Sequence, residues 1–193
     1  MTNIKELSDL CERYLKTLCI DIPERCVGSD GNRTATGFFN DQMKSFGWKT
    51  EIHKFSAMDW LDGGAELKAD GNNFIVNVSP YSLGISEEAE LVSASNILKL
   101  QNLNFTGKIL FLRGDIAKEQ LMPKNFVFYN PEEHQRIISL IEKGKPKAVI
   151  CATSRNAALA GGVYPFPLIE DGDFDIPSVY MTEEEGERLK PYI

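Results

Sequence analysis

The feature that most constrains the fold is a run of four apolar residues, Ile109–Leu112. Its length and unbroken apolar character are typical of a β-strand that is covered on both faces. A helical pattern begins at Pro131, a residue favoured in the first turn of a helix, and residues 148–152 form a second apolar run. The buried stripe of this helix is predicted to be Ile137, Ile138 and Ile141. The order of strand, helix and strand predicts a βαβ unit with parallel strands.

The rest of residues 58–182 is rich in turns and short strands. Alternating apolar and polar residues predict strands at 65–69, 74–78, 89–92, 97–100 and 178–181. Asp70-Gly71-Asn72 has the composition of a tight hairpin turn between the first two of these strands. Thr182, followed three residues later by Glu185, predicts the capped start of a last helix.

The first 57 residues have a different texture. Apolar residues recur at three- and four-residue steps in residues 4–18 and again in residues 35–46, which predicts two amphipathic helices. Gly47 provides a C-terminal stop for the second helix. Residues 48–55 alternate well enough to predict one strand.

Charge and composition exclude several classes of function. The formal net charge of −7 and the isoelectric point of about 5.0 argue against binding to nucleic acid or to an anionic membrane. The first 19 residues lack the continuous apolar stretch of a secretion signal. We therefore expect a cytoplasmic chain whose four cysteines are reduced.

Several segments together resemble a known family. Residues 107–114, 145–150 and 176–181 resemble the three central strands of a protease-associated domain. The pattern Arg25-x-x-Gly28-Ser29-x-Gly31-Asn32, followed by a helix and Gly47-Trp48, resembles the opening of zinc-dependent aminopeptidases that carry such a domain as an insert. Residues 122–131 fit the same group, so the resemblance covers nearly the whole chain.

The resemblance implies an α/β (α+β) fold with a β-rich core that contains the βαβ unit. Residues 58–186 would be the inserted protease-associated domain. Residues 1–57, with two helices and a strand, would be an incomplete part of the peptidase domain, and residues 187–193 would begin the return to it. The inserted domain would shape substrate access or contact a partner.

The resemblance also implies where the chemistry lies. The parent enzyme would remove N-terminal residues from peptide substrates with two zinc ions. Its ligands would be a His-x-Asp motif, a bridging Asp, a Glu-Glu pair and further Asp and His residues, all after the inserted domain. The histidines of this chain, His53 and His134, lie outside any His-x-Asp motif. His53 is expected to be exposed, and His134 is expected to be a surface or helix-start histidine. The zinc ligands are therefore expected beyond Ile193, with no catalytic residue, metal ligand or cofactor in this chain.

Three segments remain as candidate sites. Asp171, Asp173 and Asp175 alternate and could offer oxygens to Ca²⁺, or they could form an ordinary acidic turn. Residues Arg25, Gly28 and Ser29 could line a ligand loop or a purely structural one. Residues 157–167 are small, aromatic and proline-rich, which fits a loop facing substrate or an ordinary packed loop.

One alternative function stays open: a free-standing module that binds protein or peptide and has no enzymatic parent. The predicted helices and strand of residues 4–55 carry apolar stripes that need a cover. We therefore expect either self-association through this region or docking of both helices against the inserted domain. The stripes include Phe38, Phe39 and Phe46.

Overall fold

The structure is a computed structural model that describes residues 4–57, 60–124, 126–153 and 175–193. The chain forms two compact units, Met1–Leu61 and Asp62–Ile193. Each unit is described by itself below. No helix in the described ranges has both the length and the apolar composition needed to cross a lipid bilayer.

The first unit is built from two helices, as predicted. Helix α1 spans Ile4–Lys16 and continues through a π-helical turn at Thr17–Asp21. Helix α2 spans Asp30–Ser45, and Gly47 follows its C-cap with a φ of 82°, a conformation that favours glycine. The helices meet at Tyr14: its hydroxyl donates to Gln42 Oε1 at 2.9 Å, and its ring lies edge-on to Phe38 with centroids 5.6 Å apart.

The strand predicted at residues 48–55 was wrong, because residues 48–57 have no regular secondary structure. A strand needs a neighbour to pair its backbone N–H and C=O groups, and the described part of this unit contains helices alone. The segment is attached to α2 by a side chain, since Thr50 Oγ1 hydrogen-bonds to Asn40 Oδ1 at 2.7 Å. The alternation of apolar residues alone was therefore not enough to predict a strand, because a strand also needs a pairing partner.

The second unit contains a five-stranded mixed sheet. Its strands are β3 (Asn77–Val78), β4 (Leu91–Ala94), β5 (Ile109–Leu112), β6 (Ala148–Ala152) and β7 (Ser178–Met181). The order across the sheet is β3-β7-β6-β5-β4, in which β4 to β7 are mutually parallel and β3 is antiparallel to β7.

The predicted βαβ unit is confirmed. Helix α4 spans Glu132–Gly144 and connects β5 to β6, and Phe111 pairs with Ile150 in the parallel register. Lys145 ends α4 in the left-handed conformation, with φ of 50°. Its N–H donates to Ile141 O at 3.2 Å.

A separate two-stranded hairpin precedes the sheet. Strands β1 (Leu67–Ala69) and β2 (Asn72–Phe74) pair antiparallel. Asp70 and Gly71 between them have φ values of 46° and 78°. Positive φ at both central residues is the geometry of a type I′ turn, which matches the twist of the paired strands. The predicted hairpin is therefore confirmed.

The strand predicted at residues 97–100 was wrong, because this segment is the helix α3 (Ile97–Asn102). Asn96 decides the outcome: its side-chain oxygen accepts the N–H of Lys99 at 2.9 Å and caps the helix. An apolar run of this length does not distinguish a short strand from a short helix, so the cap was the informative residue.

Apolar side chains cover both faces of the sheet. On one face α3 and α4 pack against β4, β5 and β6, with Leu110, Leu112 and Ile141 fully buried. On the other face the hairpin and helix α5 (Glu183–Leu189) pack around Phe111, Ile150 and Met181. The predicted α/β class is confirmed as a mixed sheet with helices on both faces.

Helix α5 is tied to the hairpin by charged side chains. Thr182 Oγ1 accepts the N–H of Glu185 at 3.2 Å, as predicted for the cap. The Glu185 carboxylate does not complete a capping box; it accepts the N–H of Ile75 at 3.0 Å and an N–H of Arg188. The guanidinium of Arg188 also lies 5.3 Å from the centroid of the Phe74 ring.

These contacts set the pKa of Glu185. Desolvation by burial would by itself raise the pKa, but the N–H of Ile75 and the charge and hydrogen bond of Arg188 outweigh it, so the pKa lies below its ordinary value. A lowered pKa in the folded state means that ionised Glu185 stabilises the fold above the pKa of the unfolded chain. This contribution is lost as the pH falls through the folded-state pKa.

We predict that Glu185→Gln lowers the free energy of unfolding by about 1–2 kcal/mol at neutral pH, because a charge-assisted hydrogen bond becomes a neutral one. The difference from the parent should shrink as the pH falls below about 4, since the parent then also loses the charge. Urea unfolding over a pH series measures both values. The matched control is Glu187→Gln, whose side chain is 59% exposed in its pair with Lys190. A difference that persists unchanged at acid pH would contradict the assignment.

Candidate functional site

The carboxyl ends of the four parallel strands lie at one edge of the sheet, so the residues that follow these strands lie there as well. The side chains that follow β4, β5, β6 and β7 belong to Ser95, Arg113, Thr153 and Thr182. The carboxyl edge of parallel strands is where open α/β sheets bind their ligands. This edge of the sheet is therefore a candidate site in the second unit.

Arg113 occupies the centre of the edge. Its Nε donates to Ser93 Oγ at 3.2 Å, and its backbone N–H donates to Ala94 O at 3.2 Å. A cavity of about 190 Å³ lies beside it, lined by Arg113, Gly114, Ala152, Glu183, Gly186 and Glu187. The lining combines one cation with two carboxylates and supplies no nucleophile paired with a base. This cavity suits a few water molecules better than a reaction.

A larger open groove lies between the first turns of α3 and α4. Its volume is about 400 Å³, and its walls are Ile97, Leu98, Glu132, Glu133 and Arg136. Leu98 is 70% exposed there. The two glutamates lie at the positive end of the α4 dipole, which stabilises them. We call this cavity the helix groove.

An apolar patch lies immediately before α4. It consists of Phe126, Val127, Phe128 and Tyr129, which are 42%, 83%, 89% and 62% exposed. The Phe126 and Phe128 rings pack edge to face with centroids 6.0 Å apart. Isolated exposed apolar residues are common on protein surfaces, whereas four in succession point to a contact surface. We call residues 126–129 the aromatic patch.

His134 anchors the chain that leads into the aromatic patch. The sequence predicted a surface or helix-start histidine, and His134 lies in the first turn of α4. It is only 8% exposed, and its Nδ1 accepts the N–H of Met122 at 3.0 Å. An Nδ1 acceptor places the proton of the neutral ring on Nε2, which lies 3.9 Å from Glu119 Oε1. The helix-start alternative is therefore confirmed, and the surface alternative was wrong because the backbone at Met122 hydrogen-bonds to the ring. His53, in contrast, has a side chain that is 81% exposed, as expected.

The predicted ligand loop of the first unit uses its polar groups internally. Ser29 Oγ donates to Cys26 O at 2.6 Å and accepts the N–H of Asn32 at 3.1 Å, so it is the N-cap of α2. Arg25 donates to Ile22 O at 2.9 Å. The carbonyl of Gly28, a residue with φ of 91°, accepts from Arg33 at 2.7 Å. Arg25, Gly28 and Ser29 are brought together here by structural hydrogen bonds.

The remaining candidates give no metal centre in the described ranges. Asp171, Asp173 and residues 157–167 lie outside the described residues, and Asp175 is exposed. Among the residues the structure describes, no group of three or more His, Cys, Asp or Glu side chains could hold a metal ion. Cys151 is buried, and desolvation raises the pKa of its thiol well above the ordinary value, so it serves as a packing residue.

Comparison with known proteins gives likeness of fold. No protein-family model matches the chain. No curated protein matches it either. Among solved structures, it is similar to an aminopeptidase from Aneurinibacillus sp. strain AM-1 (TM-score 0.56, 23% identity) and to BSAP, a zinc aminopeptidase from Bacillus subtilis (TM-score 0.61, 18% identity). A peptidase M28 precursor from Shewanella amazonensis SB2B is similar at a TM-score of 0.57 and 12% identity.

The extent of these matches is uneven. Each covers 93% of this chain but only 40% to 42% of the neighbour. The chain therefore spans about two fifths of the length of the aminopeptidases that it resembles. At these identities the likeness establishes a peptidase-like fold and assigns no residue a role.

We predict that His134→Leu destabilises the second unit by about 1–3 kcal/mol, because the N–H of Met122 then loses its acceptor inside the fold. Thermal or urea unfolding measures the change. His53→Leu is the natural control, since it replaces the exposed histidine and should leave the unfolding midpoint of this unit unchanged. Equal effects of the two substitutions would show that the hydrogen bond to Met122 is not stabilising.

Proposed function

We propose that this chain is the non-catalytic N-terminal part of a zinc aminopeptidase that removes N-terminal residues from peptides. Residues 58–186 would be an inserted protease-associated domain, and residues 1–57 and 187–193 would belong to the peptidase domain. The observation that carries the proposal is the likeness to zinc aminopeptidases over 93% of this chain. In the parent, two zinc ions would supply Lewis acidity and an activated water, held by ligands beyond Ile193.

The surface of the first unit supports this assignment. No residue of α1 or α2 is buried, although both helices carry apolar stripes. Leu7, Phe39 and Phe46 are 52%, 64% and 57% exposed. An amphipathic helix gains its stability by packing that stripe against another element. Apolar helices without a cover fit a unit that completes its core against further polypeptide.

The second unit supports a role outside catalysis. Its sheet is covered on both faces by its own helices and hairpin, so its core is complete within the unit. The helix groove and the aromatic patch remain on its surface. A self-contained unit with such a surface fits the role of shaping substrate access or contacting a partner. The same complete core also favours the second candidate, a free-standing module that binds protein or peptide.

One experiment separates the two candidates. The reading frame beyond Ile193 is expressed together with this chain, and both forms are tested for zinc after dialysis and for hydrolysis of an aminoacyl p-nitroanilide. We expect the longer protein to hold zinc and to be active, and this chain alone to lack both properties. A tightly held zinc in this chain alone, or a longer frame without a His-x-Asp motif, would contradict the aminopeptidase proposal.

We further predict that this chain, expressed alone, self-associates through the first unit. Burying Phe39 and Phe46 against a second copy removes apolar surface from water, which favours association. Light scattering over a dilution series measures the mass. The double substitution Phe39→Ser, Phe46→Ser should shift the chain to monomer, whereas Leu83→Ser, which replaces a side chain 54% exposed in the second unit, should not. A monomer at every concentration would contradict the prediction.

A further inference from the structure

We infer that the helix groove and the aromatic patch together form one binding surface for a peptide segment that carries both apolar side chains and positive charge. The inference deepens the proposed function by naming what the second unit would contact. It requires no zinc and no catalytic domain, so it stands equally if the unit is a free-standing module.

The two parts of the surface are continuous along the chain. Tyr129 of the aromatic patch precedes Glu132 of the helix groove by three residues. Consecutive Cα atoms are about 3.8 Å apart, so the Cα atoms of Tyr129 and Glu132 lie within about 12 Å. A peptide of a few residues is long enough to contact both at once.

The apolar side chains of this surface are highly exposed to solvent. Leu98 in the helix groove is 70% exposed, and Val127 and Phe128 in the patch are 83% and 89% exposed. The Phe128 ring packs edge to face against Phe126, which is itself 42% exposed. Aromatic and aliphatic side chains in this arrangement are typical of the centre of a peptide-binding site.

The charge of the surface favours a cationic occupant. Glu132 and Glu133 line the groove with Arg136 as the only cation among the lining residues, and none of the three forms an ion pair with a residue in the described ranges. The second unit as a whole has 13 Lys and Arg against 19 Asp and Glu, a net charge of −6 out of the −7 of the chain. An acidic peptide would meet repulsion from both sources, and a basic one attraction.

The stabilising effect of the α4 dipole accounts for Glu132 and Glu133, but it gives no reason for the exposed aromatic residues beside them. The patch is also held at both ends. The bond from Met122 N to His134 Nδ1 at 3.0 Å fixes the chain before it. The side chain of Asn130 donates to Lys124 O at 2.7 Å and fixes the chain after it. A patch anchored in this way loses less conformational freedom on binding than a free loop would.

The test uses this chain and two fluorescent peptides of about eight residues, one alternating Leu with Lys and the other alternating Leu with Glu. Fluorescence anisotropy should give saturable binding of the basic peptide. The acidic peptide should bind at least about 10-fold more weakly. Added salt should lower the affinity for the basic peptide. Absence of saturable binding, or equal affinity for both peptides, would overturn the inference while leaving the zinc and activity test untouched.

Matched variants locate the binding. The double substitution Val127→Ser, Phe128→Ser should lower the affinity for the basic peptide about 10-fold or more, because the apolar contacts are lost. The double substitution Glu132→Gln, Glu133→Gln should lower this affinity by a smaller factor, and it should make the affinity less dependent on salt. Ile75→Ser removes a side chain that is 71% exposed outside the surface and should leave the affinity unchanged. An equal loss with Ile75→Ser, in variants that all unfold at the parent midpoint, would place the peptide elsewhere and overturn the assignment.

Discussion

The second unit depends on a strand with no face exposed to water. Leu110, Phe111 and Leu112 of β5 are each fully buried, and because side chains alternate along a strand they point to opposite faces of the sheet. Leu110 and Leu112 belong to the core beneath α3 and α4, and Phe111 belongs to the core beneath the hairpin and α5. Such a strand is stable only if both layers are present, so the two cores form together.

Local chemistry explains which parts of this fold the sequence predicts. The Asp70-Gly71 turn needs residues that tolerate positive φ, and the βαβ unit needs an apolar run on each side of a helix with a three- and four-residue repeat. These requirements are met by neighbouring residues and can therefore be read from the sequence. The pairing of β3 with β7 joins residues about 100 positions apart, and no local pattern contains it.

The failures have the same origin. The cap at Asn96 makes residues 97–100 helical. Residues 48–55 form no strand, because the described part of their unit offers no strand to pair with. The burial of His134 goes with its hydrogen bond to the backbone N–H of Met122, which lies outside α4. In each case the outcome depended on a cap or on a tertiary neighbour that the local apolar pattern does not contain.

The candidate site was harder to predict than the fold. Sequence reasoning seeks titratable and metal-binding residues, and it selected Arg25, Gly28 and Ser29, whose polar groups are satisfied by their own loop. The aromatic patch consists of residues that the same reasoning assigns to a core, because Phe and Val are more often buried than exposed. Its sequence signal was the neighbouring Pro123, Asn130 and Pro131, which predict a loop and hence a surface position.

Helix α5 joins the two ends of the second unit. The side chain of Asn72 donates to the Tyr192 hydroxyl at 2.8 Å, and Arg188 donates to Asn73 O at 3.3 Å, across sequence separations of 120 and 115 residues. The hairpin near the start of this unit is therefore in contact with residues near its end. A short linker between these two regions, with new termini opened in a surface loop, would give a circular permutant that keeps every strand neighbour of the sheet. By the same geometry, a host protein that accepted this unit into one of its loops would have to widen that loop very little.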